Sequence, residues 1–277
     1  MQDFRGRVAA ITGAGSGIGR ALAVDLSRRG AHLALSDVDE TGLAETVVLA
    51  EGAGVKVTSA RVDVADRQAV HDWADEVAAE HGSVNLVFNN AGVALGATVE
   101  GMSYEDFHWL IDINFWGVVH GTKAFLPHLQ ASGEGHVVNI SSVFGLLGIP
   151  SQSAYNAAKF GVRGFTEALR LEMLVAGHPV QVSCVHPGGI KTAIARNART
   201  TASHDQATVA QLFDRRLAKT SAKKAAAVIV DGVLRNRPRI VVGGDARLLD
   251  AYVRLVGSRY QGTVARVARR VAPRPKA

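Results

Sequence analysis

Cysteine is almost missing from this chain of 277 residues, with Cys184 the only one. A single thiol cannot close an intrachain disulfide, so a reducing, intracellular compartment is expected. The thiol sits inside the apolar run VQVSCVHP, where a small buried strand residue is the natural reading. Proline is sparse, with 7 residues against 29 glycines, a balance that favours tight turns between regular elements over disordered linkers. No stretch approaches the roughly 18 consecutive apolar residues of a membrane-spanning helix. The opening MQDFRGRVAAITGAG is too short in its apolar run for a signal peptide, so a cytoplasmic protein is expected. The histidines show no metal-ligand spacing, and no metal is expected.

Acids are missing from one end. Residues 246 to 277 hold seven arginines and Lys276 against Asp250 alone, a net +7 in a chain of net +6. The first 245 residues are therefore close to neutral and give no reason to expect nucleic-acid binding. In the basic segment Leu248, Leu249, Tyr252, Val256, Tyr260, Val264, Val267 and Val271 recur at steps of mostly four. That spacing marks one face of a helix, with Gly257 and Gly262 as its weak points. Three readings stand for this extension: packing on its own domain or a neighbouring subunit, peripheral contact with an anionic membrane surface, or a flap over a neighbour's active site.

What is present is alternation. Apolar runs at 7–12, 32–37, 55–63, 84–90, 136–142, 180–187 and 239–244 read as strands, most of them continuous enough to be buried on both faces. Helical stretches lie between them at 17–30, 66–82, 104–129, 153–173 and 221–236. In the second, Val70, Trp73, Ala74 and Val77 share one helical face. The length, with 47% hydrophobic and 20% charged residues, suits one large soluble α/β domain over residues 1–245: a doubly wound parallel sheet of about seven strands, a Rossmann fold, with helices on both faces. The polar stretch 193–220 interrupts the alternation and is expected to be a substrate lid.

Three groups of residues carry chemistry. In TGAGSGIG, Gly13, Gly17 and Gly19 follow the first strand and open a helix. Glycines let the backbone approach a pyrophosphate, and the helix N-terminus offers unpaired N–H groups to its charge. Asp37 closes the second strand, where a carboxylate can accept both hydroxyls of an adenosine ribose and repel a 2′-phosphate; no basic residue adjoins it in sequence. NAD is therefore expected, with NADP the less favoured cofactor. Tyr155 precedes Lys159 by one helical turn, which places the two on one helix face.

TGAGSGIG (12–19), NNAG (89–92), Asn114, Ser142, YNAAK (155–159) and HPGGIKT (186–192) occur in an order and spacing that resembles the short-chain dehydrogenase/reductase family, over roughly residues 5 to 245. The resemblance implies a hydride transfer between NAD(H) and a secondary alcohol or ketone, with Asn114, Ser142, Tyr155 and Lys159 catalytic. It implies that Gly13, Ser16, Gly17, Ile18 and Gly19 hold the pyrophosphate, that Asp63 and Val64 hold the adenine, and that Asn90, Ala91 and Gly92 lie beneath the ribose. Pro187, Gly188, Ile190 and Thr192 would clasp the nicotinamide, and Tyr155 and Lys159 would bind the cofactor as well, Lys159 at the nicotinamide ribose hydroxyls. A homodimer or homotetramer is implied as well, and the basic extension departs from the family's basic pattern.

On that assignment the chemistry follows. The cofactor takes the hydride, and the protein must take the proton. A tyrosine of pKa about 10 is a poor base near neutrality. The Lys159 cation, and the positive ring of the oxidised cofactor, are expected to lower it. Ser142 would orient the substrate oxygen, and Asn114 would interrupt its helix and hold a water beside Lys159. Val143, Phe144, Leu146, Leu147, Ile149 and Ile194 are the expected apolar lining, with Arg196, Arg199, Arg215 and Arg216 able to recruit an anion instead. Two other functions remain open: an NADP-dependent carbonyl reductase of the same fold, and a nucleotide-sensing protein without catalysis.

Overall fold

The computed structural model describes residues 3–192, 194, 197–200 and 219–271. The apolar run Val8–Thr12 forms β1, with every residue buried. The other runs give β2 (His32–Asp37), β3 (Val57–Arg61), β4 (Leu86–Asn89), β5 (Gly135–Ile140), β6 (Val180–Pro187) and β7 (Arg239–Val242). They pair in parallel in the order β7-β6-β5-β4-β1-β2-β3. The winding changes direction between β1 and β4, and an α/β sheet takes its ligand in the crevice at that switch point.

The crossovers are α1 (Gly17–Arg28), α2 (Glu40–Glu51), α3 (Arg67–His81), α4 (Tyr104–Ile111), α5 (Gly117–Ala131), α6 (Ser153–Ala176) and α7 (Ala222–Leu234), followed by α8 (Gly244–Val256) and α9 (Tyr260–Val271). Leu22, Leu26 and Ile229 cover one face of the sheet. On the other, Val70, Trp73, Ala74 and Val77 are buried together with Phe125 and Leu129, and Trp73 meets Phe125 edge-on with ring centroids 5.2 Å apart. Burial of each large apolar side chain contributes roughly 1.5–3 kcal/mol, so this shared helix face is a main anchor of α3 and α5 to the sheet.

Two elements differ from the sequence expectation, and one expected break is present. Helix α2 was not anticipated, because Val47, Val48 and Leu49 sit side by side and blur the helical period. Its start is set by Asp39, whose side chain accepts from the Gly42 N–H at 3.1 Å. The helix expected over 104–129 is interrupted around Asn114, as expected, by a π-turn at Asp112–Trp116. In the extension Gly257 ends α8, whereas Gly262 lies inside α9. The expected lid at 193–220 falls largely outside the described residues, Arg196, Arg215 and Arg216 included. Within it, Arg199–Thr200 pairs with Leu95–Gly96, and Thr220 opens a short pairing with Ile190–Lys191.

Candidate active site

The turn after β1 is built around what a side chain would obstruct. Gly13 and Gly17 have φ of 63° and 55°, a backbone that favours glycine. A Cβ on Gly19 would strike the Gly13 carbonyl, and one on Gly13 would lie 2.7 Å from the Ala91 Cα. Ser16 is the exposed N-cap residue of α1 and makes no capping bond of its own. Ile18 is half-buried and packs into the core. Thr192 lies against Gly17, so the far turn after β6 closes on the same helix start. This bare, N–H-rich cradle at a helix N-terminus fits a dinucleotide pyrophosphate.

Asp37 stands at the C-terminal end of β2. Its Oδ2 accepts from the Gly15 N–H at 2.8 Å and its Oδ1 from the Asp39 N–H at 3.0 Å. The cap of α2 is thus Asp39, which leaves Asp37 facing the glycine turn. No basic residue adjoins Asp37 in sequence, but the fold brings two cations toward this end of the sheet. Arg61 is the β3 neighbour of Asp37. Arg20 donates to the carbonyls of Gly15 and Gly42, the latter at 3.0 Å. Both cations have acidic partners, Glu45 for Arg20 at 2.8 Å and Glu40 for Arg61 at 4.0 Å.

Beyond β3, the exposed Asp63 accepts from the Ala65 N–H at 2.9 Å, and Val64 is buried against Gly117. At the end of β4, Thr12 Oγ1 accepts from the N–H groups of both Asn90 and Ala91 at 3.0 Å. The Asn90 side chain donates back to the carbonyls of Thr12 and Gly13. These bonds tie the β1 and β4 ends into one floor. Gly92 then sits between two functional side chains: a Cβ there would lie 3.0 Å from Asn114 Oδ1 and 3.6 Å from Lys159 Nζ. Asn114 is fully buried inside the π-turn.

Ser142 follows β5. Its Oγ accepts from the Phe144 N–H at 3.1 Å and starts a 3₁₀ turn at Val143–Gly145. Its hydroxyl also lies close enough to the Tyr155 side chain to act on its titration. Neighbouring Ser141 turns elsewhere, donating to the Lys159 carbonyl at 2.8 Å. Lys159 Nζ lies 5.7 Å from the Tyr155 ring centroid and donates to the Ile140 carbonyl at 3.0 Å. The structure therefore brings Ser142, Tyr155 and Lys159 together, with Asn114 behind them across Gly92.

The electrostatics depart from expectation. Burial raises the Tyr155 pKa above its ordinary value, and the Ser142 hydroxyl offsets only part of this. Burial also pushes Lys159 down to about 8. The protein's own groups thus favour the phenol over the phenolate, because desolvation of the ring outweighs the help from its neighbours.

The expected apolar lining is corrected as well. Val143, Leu146 and Leu147 are buried with Ala246, and Leu249, Val253 and Val264 pack on the same cluster. They face the C-terminal helices. Phe144 meets Tyr155 edge-on, with centroids 6.1 Å apart. Of the arginines expected near the lid, Arg199 lies 3.7 Å over the Trp109 ring and pairs with Asp106.

The turn after β6 presents Pro187, Gly188 and the buried Ile190 beside this group. Two residues outside the predicted site set hold it: Asp245, which the sequence did not mark, and His186, which opens HPGGIKT. Asp245 Oδ2 accepts from the Gly189 N–H at 2.7 Å and lies against Gly188. His186 is fully buried, and its Nδ1 bonds to the Ser142 carbonyl at 2.9 Å. Burial lowers its pKa to about 4, so it is neutral at pH 7 and donates that bond. Only the packing of β5 against β6 reveals the contact. Among the described residues no cluster of ligating side chains suits a metal, and no helix is long and apolar enough to cross a membrane.

A family model described as short chain dehydrogenase matches residues 7–203. The chain belongs to the short-chain dehydrogenase family. Among its relatives is the oxidoreductase SadH of Mycobacterium tuberculosis, 60% identical over 265 residues, which are 96% of each chain. Estradiol 17-beta-dehydrogenase 11 of Macaca fascicularis is 36% identical over 207 residues, covering 72% of this chain and 67% of that one. A short-chain dehydrogenase/reductase of Burkholderia phymatum, crystallised in complex with NAD, superposes with a TM-score of 0.86 at 35% identity over 94% of this chain and 97% of its own. This short-chain dehydrogenase is thus an oxidoreductase by family, with the seven-stranded parallel sheet that the family shares.

Proposed function

We propose that the protein transfers a hydride between NAD(H) and a secondary alcohol or ketone of apolar character, using Asn114, Ser142, Tyr155 and Lys159. The convergence of Ser142, Tyr155 and Lys159 carries this reading. NAD is favoured by the glycine cradle and by Asp37, and the Burkholderia phymatum neighbour binds it. Gly13, Ser16, Gly17, Ile18 and Gly19 would hold the pyrophosphate, Asp37 and the Asn90–Gly92 floor the ribose, Asp63 and Val64 the adenine, and Pro187, Gly188, Ile190 and Thr192 the nicotinamide. When bound, NAD supplies or removes the hydride, and its oxidised ring adds a positive charge.

The chain's own residues handle the proton. In reduction Tyr155 is the acid, and its raised pKa keeps the phenol protonated and ready to donate. In oxidation it is the base, and the cations around it must outweigh its desolvation. Lys159, near 8, retains its positive charge in most molecules at pH 7. Ser142 donates to the substrate oxygen and sets its direction, as a single oxyanion-type donor does. Asn114, placed beside Lys159, would hold a water that links the site to solvent.

Phe144, edge-on to Tyr155, supports an apolar substrate. So does the relative named for the steroid estradiol. Assembly as a homodimer or homotetramer would use the outer faces of α5 and α6 and the π-turn before them, where Trp116, Phe160 and Leu171 are exposed. The position of Arg20 and Arg61 near Asp37 favours a second reading, NADP as cofactor.

A panel of alcohols and ketones with both cofactors, followed by absorbance of the reduced nicotinamide, tests the proposal. Turnover by the wild type, lost at least about 100-fold in Tyr155→Phe with cofactor affinity kept, is the expected result. Absence of turnover across the panel would instead favour the nucleotide sensor.

A further inference from the structure

The substrate side of this site is bounded by the loop that Ser142 begins. Residues 143–149 carry Phe144 against Tyr155 and then return to α6. Asn156, next to Tyr155, holds that loop from below. Its Nδ2 donates to the carbonyls of Phe144 and Leu147 at 2.6 and 2.9 Å, and its Oδ1 accepts from the Ile149 N–H at 3.0 Å. One backbone group near the loop's outer end has a distant partner. The Gly148 N–H donates to the Tyr260 hydroxyl at 2.9 Å, across 112 residues of sequence.

Tyr260 is the first residue of α9, in the basic extension that follows the last strand. The same extension buries the loop's apolar residues, with Ala246, Leu249, Val253 and Val264 packed around Val143, Leu146 and Leu147. Yet α9 does not rest on α6 along its length. A groove of about 540 Å³ separates them, bordered by Ile149, Pro150, Phe160, Gln261 and Val264. With so little packing on that side, a single directed bond from Tyr260 has leverage over where the loop lies.

We propose that the C-terminal extension braces, from behind, the 143–149 loop at the substrate site, and that Tyr260 is a positioning residue that sets this loop, and through it Phe144 and Ser142, for the substrate. The inference rests on the dehydrogenase reading for its kinetic consequence. It assigns Tyr260 to the loop, whereas Asp245 near the start of α8 holds the Gly188–Gly189 turn.

The experiment compares full-length wild type with Tyr260→Phe, which keeps the ring and removes only the hydroxyl. Tyr252→Phe is the control: it deletes the Tyr252 hydroxyl bond to Thr263 Oγ1 at 2.8 Å, which links α8 to α9 without touching the loop. Amide exchange by mass spectrometry reads the loop directly, and steady-state kinetics with an apolar ketone and NADH reads its consequence. For Tyr260→Phe, exchange over 143–150 should quicken about 3- to 10-fold while peptides over 8–37 stay unchanged. The KM for the ketone should rise by about the same factor, with kcat within about twofold and the NADH dissociation constant unaltered. Tyr252→Phe should leave both readouts at wild-type values. Unchanged exchange over 143–150 overturns the inference. So does an unchanged KM in an enzyme that turns over, or an equal effect from Tyr252→Phe. If the wild type turns over no alcohol or ketone, the proposed function fails, and the exchange comparison alone still decides whether the extension holds the loop.

Discussion

The side chain of Asn114 closes on the backbone of Val93 with two hydrogen bonds. Oδ1 accepts from the Val93 N–H at 2.7 Å, and Nδ2 donates to the Val93 carbonyl at 2.8 Å. The amide thereby imitates a strand partner for the segment that leaves β4. It reaches Val93 from the π-turn, where the one-residue widening of the helix projects it inward. Gly92, one residue before, gives Lys159 its room.

Replacing Asn114 by Ala should therefore be felt in stability as well as turnover. Two bonds are lost and the partly buried Val93 groups are stranded, a cost of about 2–4 kcal/mol. In a domain of this size that lowers the thermal midpoint by roughly 5–15 °C. Calorimetry checks it, and a midpoint within about 2 °C of wild type would show that water replaces the amide at no cost.

Cofactor choice should turn on Asp37. Removing the carboxylate in Asp37→Ser deletes a repulsive charge and leaves Arg20, bonded to the Gly15 carbonyl, and Arg61, its strand neighbour, on that side. The ratio of kcat/KM for NADPH over NADH should rise by about tenfold or more. A ratio that stays fixed would mean that the paired arginines and the carboxylate cancel at the ribose.

Acid should unfold the protein through buried imidazoles. Burial lowers His136 to about 3 and His186 to about 4. Both titrate near 6.5 in the unfolded chain. Below that value the unfolded state takes up protons that the folded state refuses, so stability is fully present above pH 6.5 and is lost as pH falls toward 4. The loss by pH 4 is on the order of several kcal/mol. Urea midpoints at pH 7, 6 and 5 read it directly, and equal midpoints would exclude buried, neutral histidines.

Much of the fold was legible because its signals are local. A run such as VQVSCVHP can be covered on both faces only inside a parallel sheet, and it forms β6 over the expected residues. The spacing of Val70, Trp73, Ala74 and Val77 marks a helix face, and that face is buried. Helix α2 was hidden because Val47, Val48 and Leu49 are consecutive and Thr46, on its inner side, is polar; its hydroxyl is satisfied by the Ala14 carbonyl, a contact no window of sequence contains. The candidate site divides in the same way. The motifs marked Ser142, Tyr155 and Lys159, whereas Asp245 carries no local signature, and the contacts of His186 and Tyr260 come only from strands and helices that the fold brings alongside.

The sequence by itself determined the alternating elements, the glycine turn, the residue types of the catalytic group and the charge of the extension. These depend on neighbours within a turn or a strand, and that information is written in order along the chain. Tertiary structure alone decided which cations lie near Asp37, which way Val143 and Leu147 face, what Tyr260 holds, and that Tyr155 is pushed up where a lysine one turn away suggested it would be pulled down. A pKa and a side chain's direction depend on everything that surrounds the group, and here most of those surroundings come from distant parts of the chain.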